Sequence, residues 1–175
     1  MNEDLAAFRF CPACGREGLL REGAKGVVCP RCGFRYFHNV AATVGLVIEV
    51  AGEILFTRRA RAPAKGLLDF PGGFVDPGET VEQAVGREVR EELGIELDTA
   101  RVSYGFSACN RYPFESVIYP TADLYFILHL SERPVIRCAD DVAAVEWYPR
   151  TAIPWDDLAF PAVRDAVIRL QEKAR

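Results

Sequence analysis

The sequence lacks any apolar run that approaches the roughly 20 residues needed to span a bilayer. Its first residues, MNEDLAAF, carry two acidic side chains and do not resemble a secretory signal. These two absences predict a cytoplasmic protein that has no membrane partner.

The sequence also lacks an excess of positive charge. It has 21 Lys and Arg against 25 Asp and Glu, which gives a formal net charge of −4 and an isoelectric point near 5.3. This balance argues against a general binder of nucleic acid or anionic membranes, so we do not expect nucleic acid among the partners. It remains compatible with a local basic patch that binds a small anionic substrate.

Low-complexity tracts are absent, and the only internal repeat is a short cysteine motif. Of the 175 residues, 50% are hydrophobic and 26% are charged, which is the ordinary balance of a globular protein. This length allows one sizeable core and a small appendage, and it makes two large domains unexpected.

The repeated motif places two cysteine pairs near the N-terminus, Cys11-Pro-Ala-Cys14-Gly and Cys29-Pro-Arg-Cys32-Gly. Each pair can offer two thiolates to one tetrahedral ion, so the four cysteines predict a structural zinc site, with a pair of unliganded hairpins as the alternative. The intervening LLREGAKGVV indicates two short strands. We therefore predict a zinc ribbon over residues 1–36 that depends on the ion for its folding, since so short a segment cannot bury a useful core.

Two further cysteines, Cys109 and Cys138, lie outside this motif. We expect each of them to be a small buried apolar residue rather than a nucleophile.

The stretch 73–95, GFVDPGETVEQAVGREVREELGI, predicts one amphipathic helix. Pro77-Gly78 ends the preceding element, and Thr80 with Gln83 forms a capping box that starts the helix. At about 100° per residue, one face carries an apolar stripe of four residues. The stripe comprises Val81, Val85, Val89 and Leu93.

Three carboxylates lie along the border of this stripe, and these are Glu88, Glu91 and Glu92. Like charges beside a core repel one another, so this arrangement favours neutralisation by divalent cations. The alternative is a solvated acidic face that also carries Arg87 and Arg90.

Segments 43–50 and 53–59 predict a hairpin that precedes this helix, and extended segments follow it at 101–108, 117–130 and 143–148. A final amphipathic helix should begin at Pro161. Strands on both sides of one helix predict an α/β fold, which we interpret as an α/β/α sandwich.

The 73–95 stretch resembles the conserved box of the Nudix hydrolases, which it matches at every constrained position. The matching residues are Gly73, Glu79, Arg87-Glu88-Val89, Glu91-Glu92, Gly94 and Ile95. The resemblance implies an α/β/α sandwich with a mixed sheet over residues 37–175, and a hydrolase that uses Mg²⁺ or Mn²⁺ to cleave nucleoside diphosphates linked to another moiety.

The resemblance also implies roles for individual residues. Glu88, Glu91 and Glu92 would hold the metal ions, and the carbonyl of Gly72 would add a ligand. Glu79 and Arg87 would form an ion pair that ties the loop to the helix. Glu88, or a carboxylate outside the box, would accept the proton from water.

A cysteine ribbon before such a module resembles the NADH pyrophosphatases. Their specificity array aligns here only in part, at Ser107, Pro113-Phe114 and Ser116. We predict that an ADP-ribose or NADH type of substrate is selected by residues 110–115, which should join two strands, and that it is bound by the side chains of Arg58, Arg59, Arg111, Tyr112 and Phe114. The alternative for the two aromatic residues is that they fill the core beneath a loop.

A second class of function is a non-catalytic ligand sensor, in which the ribbon binds nucleic acid or a protein. The complete carboxylate set weighs against it, because a binder has no need of three clustered glutamates. The expected partner is a small nucleotide, and the sequence leaves a homodimer open.

Overall fold

The structure, a computed structural model, describes residue 5 and residues 8–115 and 117–172. The strands are β1 (Leu20–Glu22), β2 (Gly26–Val28), β3 (Arg35–Phe37), β4 (Ala41–Val50), β5 (Glu53–Arg59), β6 (Leu68–Asp69), β7 (Gly72–Phe74), β8 (Ser103–Phe114), β9 (Val117–Leu130) and β10 (Val142–Pro149). The α-helices are α1 (Val81–Leu93) and α2 (Pro161–Glu172). Among the described residues, no helix is long and apolar enough to cross a membrane.

The chain divides into two compact units, and each is described by itself. One unit comprises Met1–Val40 and Arg111–Pro120, and the other comprises Ala41–Asn110 and Thr121–Arg175. The first unit contains the antiparallel sheet β1-β2-β3, in which Leu20 pairs with Val28 and Val28 pairs with Arg35. The two short strands predicted between the cysteine pairs are therefore present, and a third strand follows them. The boundary predicted between residues 36 and 37 stays a prediction.

The second unit contains a mixed sheet with the order β10-β5-β4-β9-β8. Strand β4 runs parallel to β9, whereas β5 pairs antiparallel with β10. Two short strands attach to this path: β6 pairs with β5, and β7 pairs with β4. The predicted hairpin is present as β4 and β5.

Alternating side chains of the sheet form two cores on its opposite faces, because successive residues of a strand point to opposite sides. On one face, Leu46 and Leu55 pack with the buried residues of α1. On the other face, Val47 and Phe56 pack with those of α2. One helix on each face of a mixed sheet confirms the predicted α/β/α fold.

The residues predicted to begin and end α1 form the expected caps. Thr80 is the N-cap residue: its hydroxyl accepts the Gln83 N–H at 3.3 Å, and the Gln83 side chain accepts the Thr80 N–H at 2.7 Å. Gly94 ends the helix with a φ of 68°, a left-handed conformation that glycine adopts without strain. The capping box and the terminal glycine therefore fix the bounds of the carboxylate-bearing helix.

The prediction that residues 110–115 join two strands is wrong, because β8 continues to Phe114 and only the turn beyond it separates β8 from β9. Pro113 does not stop the strand, since β8 lies at the end of the sheet order and an edge strand tolerates a residue that has no N–H donor. Ser116 lies outside the described residues.

The expectation that Cys109 and Cys138 are buried is also wrong, since both are exposed. On β8, the alternation that buries Phe106 and Ala108 turns Cys109 to the opposite face. Cys138 lies in the irregular segment between β9 and β10.

Candidate active site and cysteine centre

The carboxylates of α1 differ in their burial. Glu92 is 6% exposed, and the side chain of Glu88 is 12% exposed, whereas that of Glu91 is 43% exposed. The helical period explains this difference in exposure. Glu92 lies on the same face of α1 as the buried apolar residues, whereas Glu91 lies on a more exposed face. Two of the three predicted metal-binding carboxylates are therefore largely withdrawn from water.

Glu92 is held against the strand that precedes the helix. Its Oε2 atom accepts the N–H of Gly72 at 2.9 Å. Burial raises the pKa of Glu92 to about 9, against the opposing effect of the Gly72 hydrogen bond and with further increases from the charges of Glu88, Asp141 and Asp69. An ionised Glu92 is thus unfavourable here unless a cation compensates its charge.

Glu88 lies against Gly73 of strand β7. A Cβ atom at Gly73 would come within 2.4 Å of Glu88 Oε1, so a larger residue at this position would displace the Glu88 carboxylate. Burial raises the pKa of Glu88, the hydrogen bond and charge of Arg87 oppose this increase, and the charges of Glu91 and Asp141 add to it. The backbone at Gly73 therefore confines a second carboxylate that favours the protonated state.

Arg87 joins the loop to the helix. Its Nη2 atom lies 2.7 Å from Glu79 Oε1 and its Nε atom lies 3.1 Å from Glu79 Oε2, so the pair is bidentate. Arg87 also donates to the Phe74 carbonyl at 2.9 Å, to Glu88 at 2.8 Å and to Glu91 at 3.2 Å. These bonds raise the pKa of Arg87, with the Glu79 bond as the largest cause, and the same bond lowers the pKa of Glu79. The ion pair expected from the resemblance is thus present in the structure.

Sequence reasoning missed Asp141, a carboxylate that precedes β10. Its charge raises the pKa of both Glu88 and Glu92. Its carbonyl accepts the Ala60 N–H at 2.7 Å, and the nearby Ala139 N–H donates to the Glu92 carbonyl at 3.0 Å, which ties this segment to the C-terminal end of α1. No local pattern marks Asp141, because it joins the site only through the tertiary fold.

Asp69 was missed in the same way. It lies at the end of β6, and its Oδ2 atom accepts Arg59 Nη1 at 3.0 Å. Burial raises the pKa of Asp69 to about 6, against the opposing charge of Arg59 and the Phe70 N–H bond. Asp69 also contributes to the raised pKa of Glu92. Two carboxylates that the sequence did not single out therefore interact electrostatically with the buried end of the helix.

Glu88, Glu91, Glu92 and Asp141 are called the carboxylate set below. Their oxygen donors fit a hard divalent cation. Carboxylate and carbonyl oxygens are the ligands preferred by Mg²⁺ and Mn²⁺. Among the described residues, only the four cysteines bring three or more candidate ligand atoms within 4.8 Å of one another, so the three glutamates do not converge on one point. Mutual repulsion and the Arg87 bonds to Glu88 and Glu91 account for this spacing.

The sulfur atoms of the four cysteines all lie within 4.8 Å of one another. Cys11 Sγ lies 3.6 Å from Cys32 Sγ, and Cys14 Sγ lies 3.7 Å from Cys29 Sγ. A tetrahedral zinc ion with Zn–S bonds of about 2.3 Å requires S···S distances of about 3.8 Å, so the four sulfurs are positioned to bind one metal ion.

The two cysteine motifs have the same backbone hydrogen bonds. The Gly15 N–H donates to the Cys11 carbonyl at 2.8 Å, and the Gly33 N–H donates to the Cys29 carbonyl at 3.0 Å. Hydrogen bonds from the backbone N–H groups of Cys32 and Arg31 lower the pKa of the Cys29 thiol to about 6. Against a backbone hydrogen bond from Phe34, burial and the side-chain bonds to the other three cysteines raise the pKa of Cys32. The thiolate, which is the form that binds a metal, is therefore favoured at Cys29 and disfavoured at Cys32 as long as no cation compensates the charge.

Of the two adjacent arginines predicted to contact substrate, Arg58 is engaged by other groups. It donates to Glu146 at 2.5 Å, to the Gly66 carbonyl at 2.6 Å and to Asp157 at 3.5 Å. Arg59 instead pairs with Asp69, which lies three residues before Gly72 of strand β7. The structure therefore associates Arg59 with the carboxylate set and Arg58 with the opposite face of β5.

The other predicted substrate residues, Arg111, Tyr112 and Phe114, belong to the unit that contains the cysteine centre. Phe114 is 52% exposed, so it does not fill a core, and Tyr112 is partly buried. Their assignment to substrate stays a prediction.

The chain is similar in sequence to a family model and to proteins of named activity. The family model described as NUDIX domain matches residues 38–170. The chain is 37% identical over 165 residues to the NAD-capped RNA hydrolase NudC of Stutzerimonas stutzeri (strain A1501), an alignment that covers 94% of this chain and 55% of that protein. It is 34% identical over 127 residues to the ADP-ribose pyrophosphatase of Methanocaldococcus jannaschii, which covers 73% of this chain and 71% of that protein.

Among solved structures, the crystal structure of a NUDIX hydrolase from Nitrosomonas europaea matches with a TM-score of 0.68 at 26% identity, covering 94% of this chain and 91% of that one. The chain spans about half the length of the NudC proteins that it matches.

Proposed function

The chain belongs to the NUDIX family, and from this premise we propose that it is a pyrophosphohydrolase that cleaves the diphosphate linkage of a nucleoside diphosphate derivative. The products are a nucleoside monophosphate and a second phosphate ester. The observation that supports this function best is the buried Glu92, whose carboxylate is fixed by the Gly72 N–H and whose pKa is raised to about 9. Burial of a carboxylate at this cost is expected where a divalent cation compensates the charge.

We assign the residues of this site by what each one contacts. Glu88, Glu91, Glu92 and the carbonyl of Gly72 would hold Mg²⁺ or Mn²⁺. When bound, such an ion neutralises diphosphate oxygens and lowers the pKa of a coordinated water. Arg87 and Glu79 would join the loop to the helix, and the bidentate pair between them supports this role.

A carboxylate of the same set would accept the proton from the attacking water. Glu88 and Asp141 are the two candidates, because each of them interacts electrostatically with a neighbouring carboxylate of the set. Burial raises the pKa of Glu88, and a raised pKa suits a group that must accept a proton near neutral pH.

For the cysteine centre, we propose a structural zinc ion bound by Cys11, Cys14, Cys29 and Cys32. Four sulfur donors fit a closed tetrahedral site and leave no position for a catalytic water. The ion would replace the hydrophobic core that a ribbon of this size lacks.

The proposed substrate is of the dinucleotide type, such as ADP-ribose or NADH. The names of the relatives support this class, since one is a NAD-capped RNA hydrolase and another is an ADP-ribose pyrophosphatase. A cytoplasmic location and a homodimer stay predictions.

A substrate panel tests the proposed function. ADP-ribose, NADH, an RNA oligonucleotide with a 5′ NAD cap and four nucleoside triphosphates are each incubated with the protein and Mg²⁺, and products are identified by mass. We expect the highest kcat/KM for a diphosphate-linked dinucleotide, with release of AMP or of an RNA that carries a 5′ monophosphate. A preference for triphosphates would contradict the substrate class.

The predicted role of Tyr112 and Phe114 is tested by replacing each with alanine. If their rings stack on the base, KM should rise about tenfold, equivalent to about 1.4 kcal/mol, with a smaller effect on kcat. Initial rates over a range of substrate concentrations separate the two parameters. Replacement of the exposed Tyr104, which lies at the other end of β8, is the matched control and should leave KM unchanged. Unchanged KM in both Tyr112→Ala and Phe114→Ala would contradict the assignment.

A further inference from the structure

The ion pair between Arg59 and Asp69 lies at the end of β5 and β6. Arg59 Nη1 is 3.0 Å from Asp69 Oδ2, and the two side chains are only 14% and 19% exposed. Interactions between charges that are largely withdrawn from water are stronger and less screened than those at the surface. This pair therefore restricts the orientation of the guanidinium more than an exposed salt bridge would.

Other contacts fix Arg59 in addition to Asp69. Its Nε atom donates to the Pro63 carbonyl at 2.8 Å, and its Cζ atom lies 5.2 Å from the centre of the Phe160 ring. Both backbone polar groups of Arg59 are hydrogen-bonded. Its N–H donates to the Leu67 carbonyl at 3.0 Å, and its carbonyl accepts the Gly66 N–H at 2.8 Å. The planar guanidinium is thus held in place before any ligand binds.

Asp69 is also held by hydrogen bonds, and it lies close in sequence to Gly72, which binds Glu92 of α1. Its Oδ1 atom accepts the Phe70 N–H at 2.9 Å, and its carbonyl accepts the Thr57 hydroxyl at 3.2 Å. Three residues further on, Gly72 donates its N–H to Glu92. The Cα atoms of Asp69 and Gly72 can lie at most about 11 Å apart, and the charge of Asp69 acts on Glu92, so Asp69 lies near this glutamate.

A diphosphate that approaches this set meets several carboxylates and needs a cation whose position is fixed. Arg87 is bound to Glu79, Glu88 and Glu91 on the helix side, and Arg58 is bound to Glu146 and Asp157. Arg59 is also bound to a carboxylate, but its partner Asp69 is not one of the proposed metal ligands and lies three residues before Gly72 of strand β7. A preorganised guanidinium near this strand suits a phosphate oxygen, since its donors form a planar fork.

We propose that Asp69 is a positioning residue for the reaction, which holds the Arg59 guanidinium in the orientation that binds a phosphate group of the substrate. The inference rests on the proposed function and deepens it, because it names the pair that recognises the diphosphate. Asp69 contributes to phosphate binding through Arg59, so this contribution to KM disappears when Arg59 is absent.

The test is a double-mutant cycle on KM and kcat with Asp69→Asn, Arg59→Ala and the double variant. The substrate is the member of the ADP-ribose and NADH panel that the wild-type protein hydrolyses fastest with Mg²⁺. Asp69→Asn should raise KM about tenfold and change kcat less than about threefold, because a ground-state phosphate contact is weakened. Asp69→Asn in the Arg59→Ala background should leave KM at the Arg59→Ala value.

A matched control separates positioning from stability. Glu49 and Arg150 form an ion pair of similar burial, at 2.5 Å with side chains 12% and 20% exposed, at the end of β4 remote from β7. Glu49→Gln should lower the melting temperature and leave KM unchanged. Asp69→Ser, which keeps an acceptor for the Phe70 N–H, should reproduce the KM shift and serves if Asp69→Asn does not fold.

The outcomes distinguish the two proposals. A wild-type protein that hydrolyses no member of the panel contradicts the proposed function and the inference with it. An active wild-type protein whose KM is the same in folded Asp69→Asn or Asp69→Ser contradicts the inference alone. Additive effects of Asp69→Asn and Arg59→Ala on KM also overturn it, because they would show that Asp69 does not act through Arg59.

Discussion

Glu92→Gln is expected to lower kcat by two or more orders of magnitude while the protein stays folded. Glutamine keeps the size of the side chain and an oxygen that can accept the Gly72 N–H, so the contact at 2.9 Å can persist. It removes the negative charge that a divalent cation needs as a ligand, and the loss of a metal-bound charge acts directly on the reaction. Steady-state kinetics at saturating Mg²⁺ measure the effect.

A matched control lies on the same helix. Glu82 is exposed and belongs to the first turn of α1. Glu82→Gln makes the same chemical change outside the carboxylate set and should leave kcat unchanged. Near-normal turnover of Glu92→Gln at saturating Mg²⁺ would refute the assignment of Glu92 to the metal site.

The same substitution should change how stability depends on pH. The pKa of Glu92 in the folded protein, about 9, lies above its value in the unfolded chain, about 4.3, so the folded state retains a proton that the unfolded state loses. Without added Mg²⁺, the contribution of Glu92 to the free energy of unfolding is therefore fully present below about pH 4. It is lost as the pH rises toward 9, by about 1.4 kcal/mol per pH unit.

Urea denaturation at pH 6 and pH 8, in buffer without added divalent cations, measures this slope. Glu92→Gln should lack the part of the slope that belongs to Glu92, and should be more stable than the wild-type protein at pH 8. Equal slopes in the two proteins would show that Glu92 is ionised in the folded, metal-free state.

The second large effect is expected at the cysteine centre. Purified protein should contain one zinc ion per chain, and Cys29→Ser should lose it, because serine provides no thiolate at a position whose pKa is lowered to about 6. The ribbon before Phe34 should then loosen while the second unit stays folded, so thermal unfolding should show a low-temperature transition of the ribbon that is separate from the transition of the second unit. Elemental analysis and differential scanning calorimetry measure the two results.

Cys109→Ser is the matched control, since Cys109 is exposed and lies outside the four-cysteine cluster. It should retain zinc and the wild-type unfolding profile. The zinc assignment is wrong if protein prepared without added zinc contains none and all six cysteines react readily with a thiol reagent.

The helix and its charges were predictable because their signals are local. The capping box at Thr80, the apolar period through Val89 and the glycine at position 94 all lie within one stretch of sequence, and the structure places α1 between these bounds. The same period indicated that Glu92 lies at the edge of the apolar stripe. Its burial in the structure follows from that position.

The remaining carboxylates could not be predicted in this way. Asp69 and Asp141 come close to α1 only because β6 pairs with β5 and because the segment before β10 donates hydrogen bonds to the end of the helix. Such long-range pairing has no local signal. The length of β8 was missed for a related reason: Pro113 is read as a strand breaker until its strand is known to be an edge.

The different roles of two adjacent arginines also could not be predicted from the sequence. Both have the same charge and the same place at the end of a strand, so the sequence treats Arg58 and Arg59 alike. Successive side chains of a strand point to opposite faces, which directs Arg58 to Glu146 and Arg59 to Asp69. Only the tertiary partners distinguish a structural cross-link from a candidate phosphate contact.

The most direct test of the central claim is the initial rate of AMP release from ADP-ribose and NADH as a function of Mg²⁺ concentration, measured by mass spectrometry with the wild-type protein. We predict no release without an added divalent cation, a saturable increase as Mg²⁺ is added, and one equivalent of a second phosphate ester for each AMP. Release that does not depend on a divalent cation, or binding of these nucleotides without any product at saturating Mg²⁺ or Mn²⁺, would contradict the account and favour a ligand sensor.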